Sequence, residues 1–136
     1  MVKLIMGLKG SGKTKTLVDL VAKAVTEESG DVVCIEKDKN LTYDIPYTAR
    51  LIHASEYGIN TNNLLRGFIC GLHAGNYDIT HVFIDNFYKL LDDSSAEAVA
   101  DFLEWLEDFS KENSINFTIT ATDDAENVID RIKRFF

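Results

Sequence analysis

Eight residues near the start, GLKGSGKT from Gly7 to Thr14, constrain this chain more than any other stretch. They satisfy the spacing G-x-x-x-x-G-K-[ST] without a gap. Before them runs VKLIM, a short apolar segment rich in strand formers. After them Leu17, Leu20, Val21, Ala24 and Val25 recur at helical spacing until Ser29 and Gly30 interrupt the pattern. The order strand, glycine-rich turn, helix has a physical use. Gly7, Gly10 and Gly12 can take backbone angles closed to other residues, so successive N–H groups can turn inward at the positive end of the helix and cradle an anion. In such a cradle Lys13 reaches β- and γ-phosphate oxygens and the Thr14 hydroxyl meets Mg²⁺. Lys9 and Lys15 flank the turn and raise its positive charge.

The whole chain has 136 residues, room for about one domain and little space for a second catalytic or lid domain. Hydrophobic residues at 46% and charged residues at 26% are those of an ordinary globular protein. Val2 to Met6 is too short for a signal peptide's apolar region or a spanning helix, so a cytoplasmic location with no membrane attachment is expected. The two cysteines, Cys34 and Cys70, each lie in an apolar run and are expected in the core. The net charge of −8 is uneven: between Asp92 and Glu112 eight acids face the single base Lys111. That surface repels phosphate backbones, which disfavours nucleic acid as a partner.

Further along, DVVCIE reads as a buried strand. LTYDI and ARLIHAS, either side of Pro46, suggest two short strands or a hairpin. A helix is expected from Asn62 to Ala74, ended by Gly75, with Gly67 and Gly71 four apart for close helix packing. HVFID is a strand ending in an acid. Ser95 to Lys111 forms an amphipathic helix, with Val99, Phe102, Leu103 and Leu106 on one face and Glu97, Asp101, Glu104 and Asp108 on the other. INFTIT is a further strand, and DAENVIDRIKRFF a closing helix or helix plus tail. This alternation predicts an α/β domain over residues 1–136, three layers deep, with a mainly parallel sheet of about five strands.

With that loop in that context, the chain resembles the P-loop NTPases. The resemblance implies an aspartate at the end of a later apolar strand that binds Mg²⁺ through water, and Asp85 in HVFID stands there. It also extends the phosphate contacts over Gly7, Leu8, Lys9, Gly10, Ser11, Gly12, Lys13, Thr14, Lys15 and Thr16, with Thr16 near an α-phosphate. No N-K-x-D element for guanine exists, so ATP is the expected nucleotide. The strand INFTIT, following the Asp85 strand, resembles the ATPase (RecA-like) division, in which an inserted strand ends in a polar residue that senses the γ-phosphate; Thr120 and Thr122 are both candidates. Small uncharacterised bacterial ATP-binding proteins consisting of little besides this domain are also similar.

The hydrolytic machinery is less complete than the loop. Many ATPases of that division place a glutamate directly after the magnesium aspartate, but here that position is Asn86, which can hydrogen-bond a water and cannot take its proton. The recombinase-like branch keeps its glutamate at the end of the strand after the loop helix, which makes Glu36 the candidate base. Arg50, Arg66, Arg131 and Arg134 are candidates for a finger supplied to a neighbouring subunit, and Tyr43, Tyr47 and Tyr57 for contact with a base. The resemblance therefore implies slow or partner-stimulated Mg²⁺-dependent ATP hydrolysis, with Lys13, Glu36 and Asn86 catalytic and Thr14 and Asp85 holding the metal. The alternatives are a nucleotide-responsive interaction module without turnover, or a small-molecule kinase, for which no lid is evident. The acidic face of residues 95–111 is either solvated or docks a basic protein, and Trp105, Phe109, Phe135 and Phe136 belong to the core or to a subunit contact.

Overall fold

The computed structural model describes residues 1–136, in the order β1 (Val2–Gly7), α1 (Lys13–Glu27), β2 (Asp31–Glu36), β3 (Arg50–His53), α2 (Asn62–Gly75), β4 (Ile79–Ile84), α3 (Ala96–Asn113), β5 (Asn116–Thr122) and α4 (Asp130–Lys133). Short 3-10 turns follow β3 at Ala54–Tyr57 and β4 at Phe87–Leu90. Helix starts are written locally: the Thr61 hydroxyl accepts from the Leu64 N–H at 3.0 Å and the Ser95 hydroxyl from the Ala98 N–H at 3.3 Å. Each satisfies one of the donors that a helix leaves unpaired at its start.

The five strands are all parallel and lie in the spatial order β1-β5-β4-β2-β3. The strand INFTIT is thus inserted between the glycine-loop strand and the strand that leads to Asp85, as expected. Strand residues alternate between two cores. Val32, Cys34 and Phe83 pack against Leu17, Val21 and Ala24 of α1. Val33, Ile35, Val82, Ile84, Phe117 and Ile119 face the other way, against Leu65 and Ile69 of α2, Phe102, Leu103 and Leu106 of α3, and Ile132 of α4. The result is the predicted three-layer α/β domain. Burying each of these large side chains stabilises the fold by about 1.5–3 kcal/mol. Register places Gly7 beside Thr122 and Ile84 beside Ile119, so the loops leaving β1, β5 and β4 emerge next to one another. The C-terminal edge of a parallel sheet, where successive strands diverge, is where ligands of such folds sit.

Several expectations need correction. LTYDI forms turns; β3 alone is a strand, and it joins β2 in parallel, not as a hairpin. Leu41 and Ile45 are four apart and both buried, so this segment folds back as a turn onto the α1 side. Cys34 is buried, but Cys70 is exposed, because the helical period of α2 turns Leu65 and Ile69 inward and Cys70 out. A Cβ on Gly67 or Gly71 would meet nothing within 4 Å, so these glycines pack against no helix. The closing helix is a four-residue turn. From it Arg131 reaches Asp101 at 2.7 Å and Glu104 at 2.6 Å, and Arg134 reaches Glu107 at 3.1 Å. Asp101 and Glu104 of the acidic face, and Glu107 beside it, are therefore paired with the chain's own arginines, while Glu97 and Asp108 are not. Trp105 and Phe109 pack against the main core, Phe135 is buried within it and Phe136 is exposed. No helix is long and apolar enough to cross a membrane.

Candidate functional site

Between β1 and α1 the glycine-rich turn takes the conformation its composition permits. Gly10 and Gly12 both have φ of 85°, a left-handed value costly for residues with a Cβ. Gly12 is the N-cap of α1, no side chain caps that helix, and its first backbone bond runs from the Thr16 N–H to the Gly12 carbonyl. The helix thus presents unpaired amides and its positive end to the turn. The Lys13 ammonium lies back along the loop, donating to the Leu8 carbonyl at 3.1 Å and the Ser11 hydroxyl at 3.4 Å. The Thr16 hydroxyl donates to the Gly12 carbonyl at 3.0 Å.

Facing the turn, Asp85 follows directly on β4 and is 3% exposed. Its N–H donates to the Ile35 carbonyl at 2.9 Å, which fixes the backbone across the sheet. The carboxylate accepts from the Thr14 hydroxyl at 3.1 and 3.3 Å, from the Thr120 hydroxyl at 2.6 Å and from the Asn86 side-chain amide at 3.3 Å. Thr120 in turn accepts from the Asn86 N–H at 2.9 Å. One hydroxyl on β5 therefore sets both the Asp85 carboxylate and the backbone of Asn86, which has a left-handed φ of 52°. Loop, inserted strand and acid strand are joined in one hydrogen-bonded unit. Above it lies a cavity of about 620 Å³ lined by Lys9, Gly10, Gly12, Lys13, Thr14, Lys15, Asn86, Lys89 and Thr122. The glycine-rich turn, the buried acid at the end of β4 bonded to Thr14, and the polar end of β5 between them thus meet at a single cavity.

The family model "ATPase family associated with various cellular activities (AAA)" matches residues 3–136. The chain belongs to the AAA family. No curated protein matches it.

Within this AAA domain the other expected residues are distributed unevenly. Thr122, exposed at the end of β5, lines the cavity, whereas Thr120 is fully buried beneath Asp85. Of the two sensor candidates, only Thr122 is placed to meet a ligand. Glu36 lies outside the cavity lining. Its carboxylate accepts from the Asn40 N–H at 2.9 Å and the Leu41 N–H at 3.0 Å, and lies 3.3 Å from His53 Nδ1. It braces the turn that follows β2. Cys34 is buried near both acids; burial first, then the charges of Asp85 and Glu36, push its thiol far above the usual range and leave it unreactive.

None of the three tyrosines lines the cavity: Tyr43 and Tyr47 are 99% and 97% exposed, and Tyr57 stacks on Phe68. Arg131 and Arg134 are ion-paired with α3, while Arg66, which lies over the rings of Phe102 and Trp105, and Arg50 form no ion pair. Lys89 was missed. It sits on the turn after β4, and the available signal was the pattern Phe87, Leu90 with a lysine between them, apolar residues three apart that pin a turn beside the strand-end acid. A smaller cavity of about 240 Å³ shares Asn86, Lys89 and Thr122 and adds Tyr88. Burial first, and then the nearby Asp123 charge, push the Tyr88 phenol up to about 12, so it remains a neutral donor.

Proposed function

We propose that this AAA domain binds ATP with Mg²⁺ in the cavity between β1, β5 and β4, and hydrolyses it slowly unless a partner completes the site. The observation that carries the reading is the Thr14–Asp85 pair, a hydroxyl in the first turn of α1 at 3.1 Å from a buried strand-end carboxylate beneath a cavity lined by lysines. Asp85 is buried without an ion-pair partner from the protein, so its charge is balanced only by hydroxyl and amide donors. Such a carboxylate fits a hard dication, which takes one or two protein oxygens and leaves its other positions to phosphate and water. Bound there, Mg²⁺ supplies charge neutralisation on the transferring phosphoryl group.

The chain's own groups divide the remaining work. The amides at the start of α1 and the Lys13 ammonium hold the β- and γ-phosphates, with Lys9 and Lys15 adding positive potential at the rim. Thr14 and Asp85 hold the metal, with Thr120 fixing the carboxylate. Asn86 orients the attacking water and Thr122 contacts the terminal phosphate. Asn86 has no basic group to take a proton, so catalysis rests on positioning and charge alone, and turnover is slow. Glu36, its oxygens committed to the turn after β2, takes no part in the chemistry.

The test is Mg²⁺-dependent phosphate release by the wild type and Lys13→Ala, with ATP binding measured beside it. Measurable release that falls by on the order of 100-fold in Lys13→Ala is expected; ATP binding indifferent to Lys13 would refute the reading. A second reading, a nucleotide-responsive interaction module with no significant turnover, is favoured by the absence of any carboxylate from the cavity lining. There, occupancy would set the segment from Asn86 to Ser95 that leads into α3. Unchanged hydrogen-exchange protection over that segment and α3 at saturating ATP would remove it.

A further inference from the structure

The lining of the phosphate cavity has two walls of different origin. Lys9, Lys13 and Lys15 come from the glycine-rich turn and the start of α1; Lys89 comes from the opposite side, one turn beyond Asp85. We propose that Lys89 is a built-in reader of the terminal phosphate, the cation that makes this cavity prefer a nucleoside triphosphate to a diphosphate. The inference rests on the proposed nucleotide site and adds to it a specificity-determining residue outside the glycine-rich motif.

Three observations carry it. First, the turn bearing Lys89 is fixed. Asn86 enters it with a left-handed backbone held by the Thr120 hydroxyl at 2.9 Å, the Lys89 N–H donates to the Asn86 carbonyl at 3.0 Å, and Phe87 and Leu90 are fully buried on either side. A lysine on a fixed turn loses less freedom on meeting a ligand than one on a loose loop. Second, Lys89 has no acidic partner, and neither do Lys9 and Lys13 across the cavity, whereas Lys15 at the rim is paired with Asp19. Its charge is uncommitted and faces a cavity with no acid in its lining. Third, Lys89 shares both the main cavity and the smaller one beyond it with Asn86 and Thr122, all three on the β4 and β5 side. In the proposed site the glycine-rich turn and the start of α1 hold the β-phosphate common to ATP and ADP and meet the γ-phosphate from one side, so a cation on the opposite wall meets from the other side the phosphate that only the triphosphate carries.

The experiment compares the affinities of a non-hydrolysable ATP analogue and of ADP, both with Mg²⁺, for the wild type, Lys89→Met, Lys89→Arg and Lys13→Ala. The Lys89 side chain is exposed, so the variants should fold, and thermal melting checks this. In Lys89→Met the triphosphate should lose about tenfold in affinity, the worth of one charge-assisted hydrogen bond, while ADP stays within about twofold. Lys89→Arg should restore most of the preference. An unchanged ratio of the two affinities in Lys89→Met, with both ligands still dependent on Lys13, would overturn this inference and leave the nucleotide site standing. Affinities indifferent to Lys13 as well would overturn both.

Discussion

Two carboxylates stand at the C-terminal ends of neighbouring strands, Glu36 on β2 and Asp85 after β4, and both are 3% exposed. Their partners differ in kind. Glu36 accepts from two backbone amides of the turn that follows it, whereas Asp85 accepts from the hydroxyls of Thr14 and Thr120 and one side-chain amide. A backbone N–H can only donate, so the turn after β2 needs a permanent acceptor and Glu36 is committed to it. A threonine hydroxyl both donates and accepts, so it can turn its lone pairs toward a cation when one arrives. The same residue class in the same place on the sheet is therefore a brace in one case and a candidate metal ligand in the other. The chain that folds over each acid decides which.

Substituting each acid by its amide is the sharpest way to break this contrast. Asp85→Asn should lower Mg²⁺-dependent turnover by on the order of 100-fold or more. It should leave stability without ligand unchanged or raised, because a buried carboxylate without a cationic partner is costly. Glu36→Gln should do the reverse, retaining turnover within about threefold while losing about 1–3 kcal/mol in urea denaturation, as the turn loses its charged acceptor. Loss of turnover in Glu36→Gln at full ATP binding would restore Glu36 as the base.

Thr120→Val comes next. It removes the donor to Asp85 and strands the Asn86 N–H, so a stability loss of about 1–3 kcal/mol is expected. Turnover should fall about tenfold through misplacement of Asp85. A smaller change in the opposite direction is expected from Asn86→Asp, which tolerates the left-handed backbone and supplies the missing carboxylate. Steady-state phosphate release should rise by roughly threefold to tenfold, within the modest end of general-base contributions. No increase would place the bottleneck elsewhere than proton removal.

The smallest effect lies at the other end of β4. His81 sits between Glu28 at 2.7 Å and the Thr118 hydroxyl at 2.8 Å, stacked on Phe83. Burial holds its pKa below the ordinary value, outweighing the opposing pull of Glu28. The folded state therefore takes up a proton less readily than the unfolded chain. The stability this contributes is present above the unfolded value of about 6.5 and is lost as pH falls through the folded pKa. A small decline is expected as pH falls below about 6.5, and His81→Gln should flatten that slope in urea midpoints measured across the range.

What could be read from sequence was what local chemistry decides. The glycine-rich turn with its flanking strand and helix depends on residue types at short spacing, and a mainly parallel sheet of about five strands followed from the alternation of elements, whereas the place of β5 between β1 and β4 was implied by the resemblance to the ATPase division. The position of Asp85 at the end of an apolar run was legible for the same reason. The commitment of Glu36 was not, because its acceptors' partners are backbone amides of Asn40 and Leu41, whose direction depends on Leu41 and Ile45 burying against α1. Cys70 and the α2 glycines were misjudged where an apolar run was read without its helical phase. The coverage of α3 by Arg131 and Arg134 joins residues about thirty positions apart and leaves no local signal.

The most direct measurement is the Mg²⁺ dependence of ATP affinity, by calorimetry with and without chelator, for the wild type, Asp85→Asn and Glu36→Gln side by side. If Asp85 is the metal ligand and Glu36 a brace, Mg²⁺ should strengthen binding in the wild type and in Glu36→Gln to a similar degree, and add little in Asp85→Asn. An undiminished Mg²⁺ effect in Asp85→Asn, or its loss in Glu36→Gln with the fold intact, would contradict the assignment of these two acids.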